Sequence, residues 1–260
     1  MADKEKKENG QAEVLPNTKW VRAFLGGEAV ADSRHTKLLR QLGHIAVYYF
    51  PLEDVKMQRL KAANSGAQVA DLGEGPWLKP PEQSKVYTVR VDGSVAENAA
   101  WLVEASSQYP ELAGHVAFVW QAMDAWYEEE EQVRYHPHDP YHLIDVRPSS
   151  RHVKIVLRGV TMAESRRPVL LFEAGLPPRY YLPKTDVRMD LLLASERTTH
   201  CAYKGTAVYY SASLPNGQKE ENVAWTYAYP NYQYAPIQNL VAFSQGRVDD
   251  FLVDGAQLAD

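Results

Sequence analysis

The feature that most constrains this chain is an internal repeat of long period. Gly27–Arg34 reads GEAVADSR, and Gly159–Arg166 reads GVTMAESR. Val47-Tyr48-Tyr49-Phe50-Pro51 returns as Arg179-Tyr180-Tyr181-Leu182-Pro183, and Asp54-Val55-Lys56-Met57 as Asp186-Val187-Arg188-Met189, each 132 residues on. Further along, Ala100-Trp101 returns as Ala224-Trp225 and Val116-Ala117-Phe118 as Val241-Ala242-Phe243, now 124 and 125 residues on. A solenoid needs many short repeats, so two long copies mean one domain duplicated in tandem. Residues 1–18 read as a charged, disordered tail, 19–133 as the first repeat, 134–151 as a connector and 152–260 as the second repeat.

Within each repeat the local signals are those of strands. His152–Leu157 alternates and meets Gly159 at a turn. Thr206–Ala212 is rich in β-formers, Pro215-Asn216-Gly217 is a hairpin signal, and Asn222–Tyr227 is the return strand. Val248–Val253 closes the set after a turn at Gln245-Gly246-Arg247. Asp186–Leu193 has room for one or two helical turns, but neither half carries a long amphipathic helix. The expected fold is all-β: two mainly-β domains of six or seven short strands each, joined by a His/Pro-rich connector.

Composition narrows the function classes. The chain of 260 residues has 28 Lys+Arg against 33 Asp+Glu, a net charge of −5, which gives no positive field for general nucleic-acid binding. No apolar run approaches a membrane span, and Met1–Gly10 lacks the apolar segment of a secretory signal. A single cysteine, Cys201, rules out an internal disulfide and multi-cysteine zinc sites. A cytoplasmic protein without a cofactor is expected, with neither nucleic acid nor membrane as partner. No nucleophile elbow, zinc-protease helix or dinucleotide glycine motif occurs.

Both halves resemble the domain-of-unknown-function family 427 in its tandem form. The likeness is carried by Arg179-Tyr180-Tyr181-Leu182-Pro183, Asp186–Asp190, Thr199–Gly205 and Ala224–Tyr227, and it spans about residues 20–255. The connector, with His136, Asp139, Tyr141, Asp145 and Arg147, also looks like the joining segment of tandem members. The resemblance implies a small mainly-β fold and no settled activity. The family is sometimes labelled nucleotidyltransferase-like, but the chain has no Gly-Ser pair followed by paired acids and no P-loop. Two departures stand out. Ala202 follows the cysteine where the family usually has Pro, and the first repeat lacks the Cys-Lys segment, carrying the Gly/Pro-rich stretch 63–82 instead.

Residues peculiar to the second repeat are the better functional candidates. Glu173 faces Gln41 in the internal alignment, Arg179 faces Val47 and Tyr227 faces Val103, whereas Arg188 faces Lys56 and shares its charge. Cys201 and Lys204 lie three apart beside His200, a spacing that would let a lysine lower a thiol pKa in a turn. The plainer alternative is a small buried cysteine and a surface lysine. Tyr181 and Trp225 recur in both repeats, which favours a structural role, yet aromatic walls also build pockets. The working expectation is one small-molecule pocket in the second repeat, lined by Glu173, Arg179, Tyr181, Arg188, His200, Trp225 and Tyr227, with Cys201 and Lys204 as the chemical pair acting on a polar or anionic substrate. The alternatives are a non-catalytic binding or scaffold module and a nucleotide-handling enzyme. His136, His138 and His142 are weak metal candidates, and the acidic run Glu128–Glu131 reads as a solvated strand end.

Overall fold

The computed structural model describes residues 12–258 apart from Glu74 and Ser107. It divides at Asp139/Pro140 into two units. The described residues form no helix beyond short 3₁₀ turns; the rest of the regular structure is antiparallel strand. Among the described residues no helix is long and apolar enough to cross a membrane.

The first unit has strands β1 (Glu13–Pro16), β2 (Val21–Leu25), β3 (Glu28–Ser33), β4 (Lys37–Arg40), β5 (Val47–Pro51), β6 (Leu60–Ala62), β7 (Ser84–Val91), β8 (Ser94–Val103), β9 (His115–Phe118), β10 (Ala125–Glu128) and β11 (Glu131–Val133). The second has β12 (Ile144–Pro148), β13 (Val153–Leu157), β14 (Val160–Ser165), β15 (Val169–Glu173), β16 (Arg179–Leu182), β17 (Leu192–Cys201), β18 (Gly205–Ser213), β19 (Lys219–Thr226), β20 (Val241–Phe243), β21 (Asp250–Val253) and β22 (Ala256–Gln257). The seven-stranded sheets run β1-β4-β5-β9-β8-β7-β6 and β12-β15-β16-β20-β19-β18-β17. The four-stranded sheets run β11-β10-β2-β3 and β22-β21-β13-β14. Adding eleven to any strand of the first unit gives its counterpart in the second. The duplication read from the sequence is therefore a duplication of topology.

The strand count exceeds the six or seven expected per repeat. The extra strands are short edge segments such as Glu131–Val133 and Ala256–Gln257, too brief and too polar to show a period of two. Two boundaries also differ. Residues 1–11 lie outside the described residues, but Glu13–Pro16 is no tail: it pairs antiparallel with Lys37–Arg40. Likewise Ile144–Pro148 belongs to the second repeat, pairing with Val169–Glu173. Glu128 is not solvated. It is buried, accepting a hydrogen bond from the Tyr48 hydroxyl at 2.7 Å and pairing with the Lys19 ammonium.

Each unit is two-layered, and strand alternation decides what faces where. In β16, Tyr180 and Leu182 turn toward the four-stranded sheet, where they join Val153, Ile155, Leu157, Met162 and Phe251 in one core. Tyr181 turns to the opposite face, into a separate cluster with Leu171, Ala207, Tyr227, Ile237 and Ala242. The first unit buries both faces in one continuous cluster. Its Gly/Pro-rich stretch makes the difference. Leu78 is buried there, and Val69, Leu72 and Trp77 pack onto the core. The stretch is tied down by Ala70 N–H to the Asn98 carbonyl (3.0 Å) and Ile45 N–H to the Pro76 carbonyl (2.9 Å). Gly75, at φ +116°, lets the chain lie where a Cβ would stand 2.7 Å from Ile45 Cδ1.

Candidate functional site

The outer face of the second unit's large sheet builds the site. The ladder partners Val169, Tyr181, Ala242, Trp225 and Tyr209 form one row across β15, β16, β20, β19 and β18. Residues in such a row share a face, and so do Arg179, Tyr227 and Ala207 two positions along, and Glu173 four positions along, from the row. β17 runs on through Thr199, opposite Ala207, to a tight hairpin with Cys201 paired to Gly205. Gly205, at φ +96°, supplies the left-handed backbone that this turn needs. The segment after β19 covers part of the face: Asn231 Nδ2 donates to the carbonyls of Ala202 (3.1 Å) and Tyr203 (2.7 Å).

What remains open is a cavity of about 330 Å³, within the range of small-molecule sites. Glu173, Arg179, Arg197, Lys204 and Arg247 line it, together with Tyr181, Tyr209, Trp225 and Tyr227. Four cationic side chains thus meet one carboxylate. That carboxylate is already shared: the Lys204 ammonium pairs with Glu173 Oε2, and His142 Nε2 lies 3.0 Å from Oε1. His142 in turn stacks on Tyr203, with ring centroids 4.5 Å apart. Burial pushes the Glu173 carboxyl up, but the hydrogen bond from His142 and the charge of Lys204 outweigh it and hold the group below its usual value.

The arginines are less committed. Arg179 Nη1 donates to the neutral Gln245 amide at 2.9 Å. Arg197 lies with its Cζ 5.0 Å from the centre of the Tyr209 ring. Among the described residues no carboxylate pairs with either. Arg247 reaches Glu220 only at 3.7 Å. The Trp225 indole N–H points to the Tyr181 hydroxyl at 3.4 Å, and burial drives the Tyr181 and Tyr227 phenols upward so that both stay protonated. The Tyr227 hydroxyl has no hydrogen-bond partner among the described residues.

A family model described as a domain of unknown function, DUF427, matches residues 13–129 and again 145–254. The chain belongs to the DUF427 family. The matched segments start at β1 and β12, so each DUF427 copy takes in the edge strand that the sequence reading left to a tail or a connector. No curated protein matches the chain. A position-by-position comparison of the two DUF427 copies shows how their faces differ. The first copy keeps the hydrogen-bonded pair, Trp101 Nε1 to Tyr49 OH at 3.3 Å. Where the second copy has Arg179, Tyr209, Tyr227, Ser244 and Arg247, the first has Val47, Val86, Val103, Val119 and Ala122. In the first copy, Val69, Ala70, Leu72 and Trp77 pack against the cluster that holds Tyr49 and Trp101; in the second, this face opens on the cavity.

Of the expected site residues, Glu173, Arg179, Tyr181, Lys204, Trp225 and Tyr227 come together around the cavity. The others lie elsewhere. Arg188 forms a two-pronged surface pair with Asp190, at 2.8 and 2.6 Å. His200 is the strand neighbour of Thr199 and so takes the opposite face, with Nδ1 3.1 Å from Thr206 Oγ1. Cys201 is half-buried at the hairpin; its Sγ accepts from the Lys204 backbone N–H at 3.5 Å, while the Lys204 ammonium is on Glu173. The three connector histidines diverge. His136 Nδ1 is 2.8 Å from the Pro137 carbonyl, His138 approaches Glu128, and His142 holds Glu173. No group of three or more His, Cys, Asp or Glu among the described residues is placed to hold a metal. Sequence reasoning missed Arg197, Asn222 and Arg247. Arg247 faces Ala122 and Arg197 lies where the first copy has no counterpart, so the copy-to-copy comparison would have found both.

Proposed function

We propose that the second repeat binds a small anionic molecule in this cavity, and that the first repeat is its closed, non-binding counterpart. The observation that carries the reading is the charge balance. Lys204 and Glu173 neutralise one another, while Arg179 and Arg197 keep no carboxylate of their own. Arg179 is part-buried and Arg197 exposed; with Lys204 and Arg247 they set four cations around one carboxylate, and an anionic ligand would offset their mutual repulsion and match their donors. The apolar residues at the matching positions of the first repeat support the same reading, since a charge-free fold is evidently compatible with this topology.

The reading does not require catalysis. Among the described residues, the side chains best arranged for proton transfer would be His142, Glu173 and Lys204, which contact one another beside the cavity; Cys201 is a neighbour of Lys204. Calorimetric titration with small carboxylates and phosphates tests the proposal. Saturable binding to the wild type is expected, with Arg179→Ala and Arg197→Ala each weakening it about tenfold or more, the scale of a lost charge-assisted hydrogen bond. Wild-type affinity in both variants would refute it. A nucleotide-handling role would instead require that ATP or GTP bind more tightly than the simple anions.

A further inference from the structure

Resting on that reading, we infer that the ligand class is a flat aromatic acid carrying a second hydrogen-bonding group on its ring. The aromatic wall argues for the flat body. Trp225 is half-buried, whereas its counterpart Trp101 is 1% exposed; the added exposure opens on the cavity. Tyr209 stands beside it with ring centroids 6.1 Å apart and planes inclined by 38°, and the Trp225–Tyr181 hydrogen bond fixes the indole edge. Rings held in this way offer a preformed apolar surface at little entropic cost, best matched by another planar ring.

The acid group belongs at the arginine end. Arg197 rises from an irregular stretch of β17, between Ala194 and Thr198, where the ladder to β18 shifts register. Bulges re-aim side chains in this way. Ser195, on the same irregular stretch, bonds to Asn222 Oδ1 at 2.5 Å, and Arg247 donates to the Glu221 carbonyl at 3.0 Å. Arg197 and Arg247 both line the cavity, together with Asn222. A guanidinium fork matches a carboxylate through two parallel hydrogen bonds. Phosphate is less favoured: the described residues offer no helix N-terminus at the cavity, where backbone N–H groups would cradle it.

The second polar group follows from Tyr227. Its phenol is kept protonated by burial and lines the cavity without a partner among the described residues. A ligand group that meets it would form a hydrogen bond with this phenol.

Calorimetry on the full chain with four probes tests this: benzoate, 4-hydroxybenzoate, cyclohexanecarboxylate and inorganic phosphate. The expected order is 4-hydroxybenzoate about tenfold tighter than benzoate, with cyclohexanecarboxylate weaker still. Tyr227→Phe, which removes one oxygen and keeps the ring, is expected to bring the two benzoates to equal affinity. If cyclohexanecarboxylate binds as well as benzoate, the flat-ring inference is wrong while the anion site stands. A hydroxyl preference that survives Tyr227→Phe overturns the role of Tyr227. Tight binding of phosphate with none of the carboxylates overturns the ligand class. If none of the four binds, the anion site itself fails together with this inference.

Discussion

At the scale of single side chains, the Lys204–Glu173 pair concentrates the electrostatics of the second repeat. Both groups are buried, with side chains 11% and 8% exposed, and a buried pair is expensive to break from one side. Lys204→Met is therefore expected to cost about 2–4 kcal/mol in denaturant unfolding at pH 7. The double variant Lys204→Met/Glu173→Leu is expected to recover most of that, because no charge is then left alone. A single variant as stable as wild type would show that the pair is not coupled. The pH sign follows from the depressed Glu173 carboxyl: the stability it contributes is present above the ordinary carboxylate value of 4.5 and is lost as pH falls below it. Lys204→Met removes a depressing influence, so the stability that Glu173 contributes, and with it the part lost on acidification, is smaller. Glu173 and Lys204 were legible in the sequence because the first repeat has no equivalent charges. His142 was legible only as a metal candidate, since the carboxylate it serves is 31 residues away. Arg188 and His200 lie away from the cavity for local reasons: a neighbouring Asp190 takes the one, and strand alternation turns the other away.

At the scale of elements, the strands were legible wherever they alternate, and obscure where an irregularity interrupts the ladder. Asn222 shows why. Its φ of +52° matches that of Asn98 in the first repeat, and each residue's backbone N–H bonds a hydroxyl on the neighbouring strand at 3.1 Å, from Ser211 and Thr88 respectively. Both sit at a register shift in the strand pair. Asparagine tolerates the left-handed region better than most residues. Asn222→Ala is thus expected to cost about 1–2 kcal/mol, and Asn222→Gly less; equal losses would mean that backbone strain is not the cause. A second element-scale device follows β16. Hydrogen bonds from Arg167 hold the Asp186 carboxyl down to about 2 against its burial, with help from Ser165. Its depressed pKa contributes stability that is complete above about 4 and fades between pH 4 and 2. Arg167 is largely exposed, so solvent screening reduces the contribution to about 1 kcal/mol. Thermal unfolding of Asp186→Asn is expected to fall below wild type at pH 7 and to converge with it near pH 2.

At the scale of the whole molecule, one topology has been used twice to opposite ends. Every strand of one unit has its counterpart eleven strands away, and each unit closes its own two sheets over its own core. The first repeat buries both faces of its large sheet and packs Val69, Ala70, Leu72 and Trp77 onto that core; the second keeps the face with the cavity charged and partly open. That division was only half legible. The repeat period and the missing Cys-Lys segment mark the copies as unequal, but nothing in a Gly/Pro-rich stretch announces that it packs as core instead of hanging as a loop. Because each unit carries its own core, residues 140–260 are expected to fold alone and to bind 4-hydroxybenzoate within about twofold of the full chain. Residues 12–139 are expected to fold and bind none. The starting point matters, because His142 precedes β12. A fragment beginning at Ile144 keeps every strand of the second unit but leaves Glu173 without its histidine, so it is expected to be less stable than 140–260 by about 1–3 kcal/mol, the scale of a hydrogen bond to a charged group. Unfolding both fragments in urea separates the outcomes: equal stability would make His142 an ornament of the connector, while a loss reproduced by His142→Ala in the longer fragment would tie the effect to the Glu173 contact.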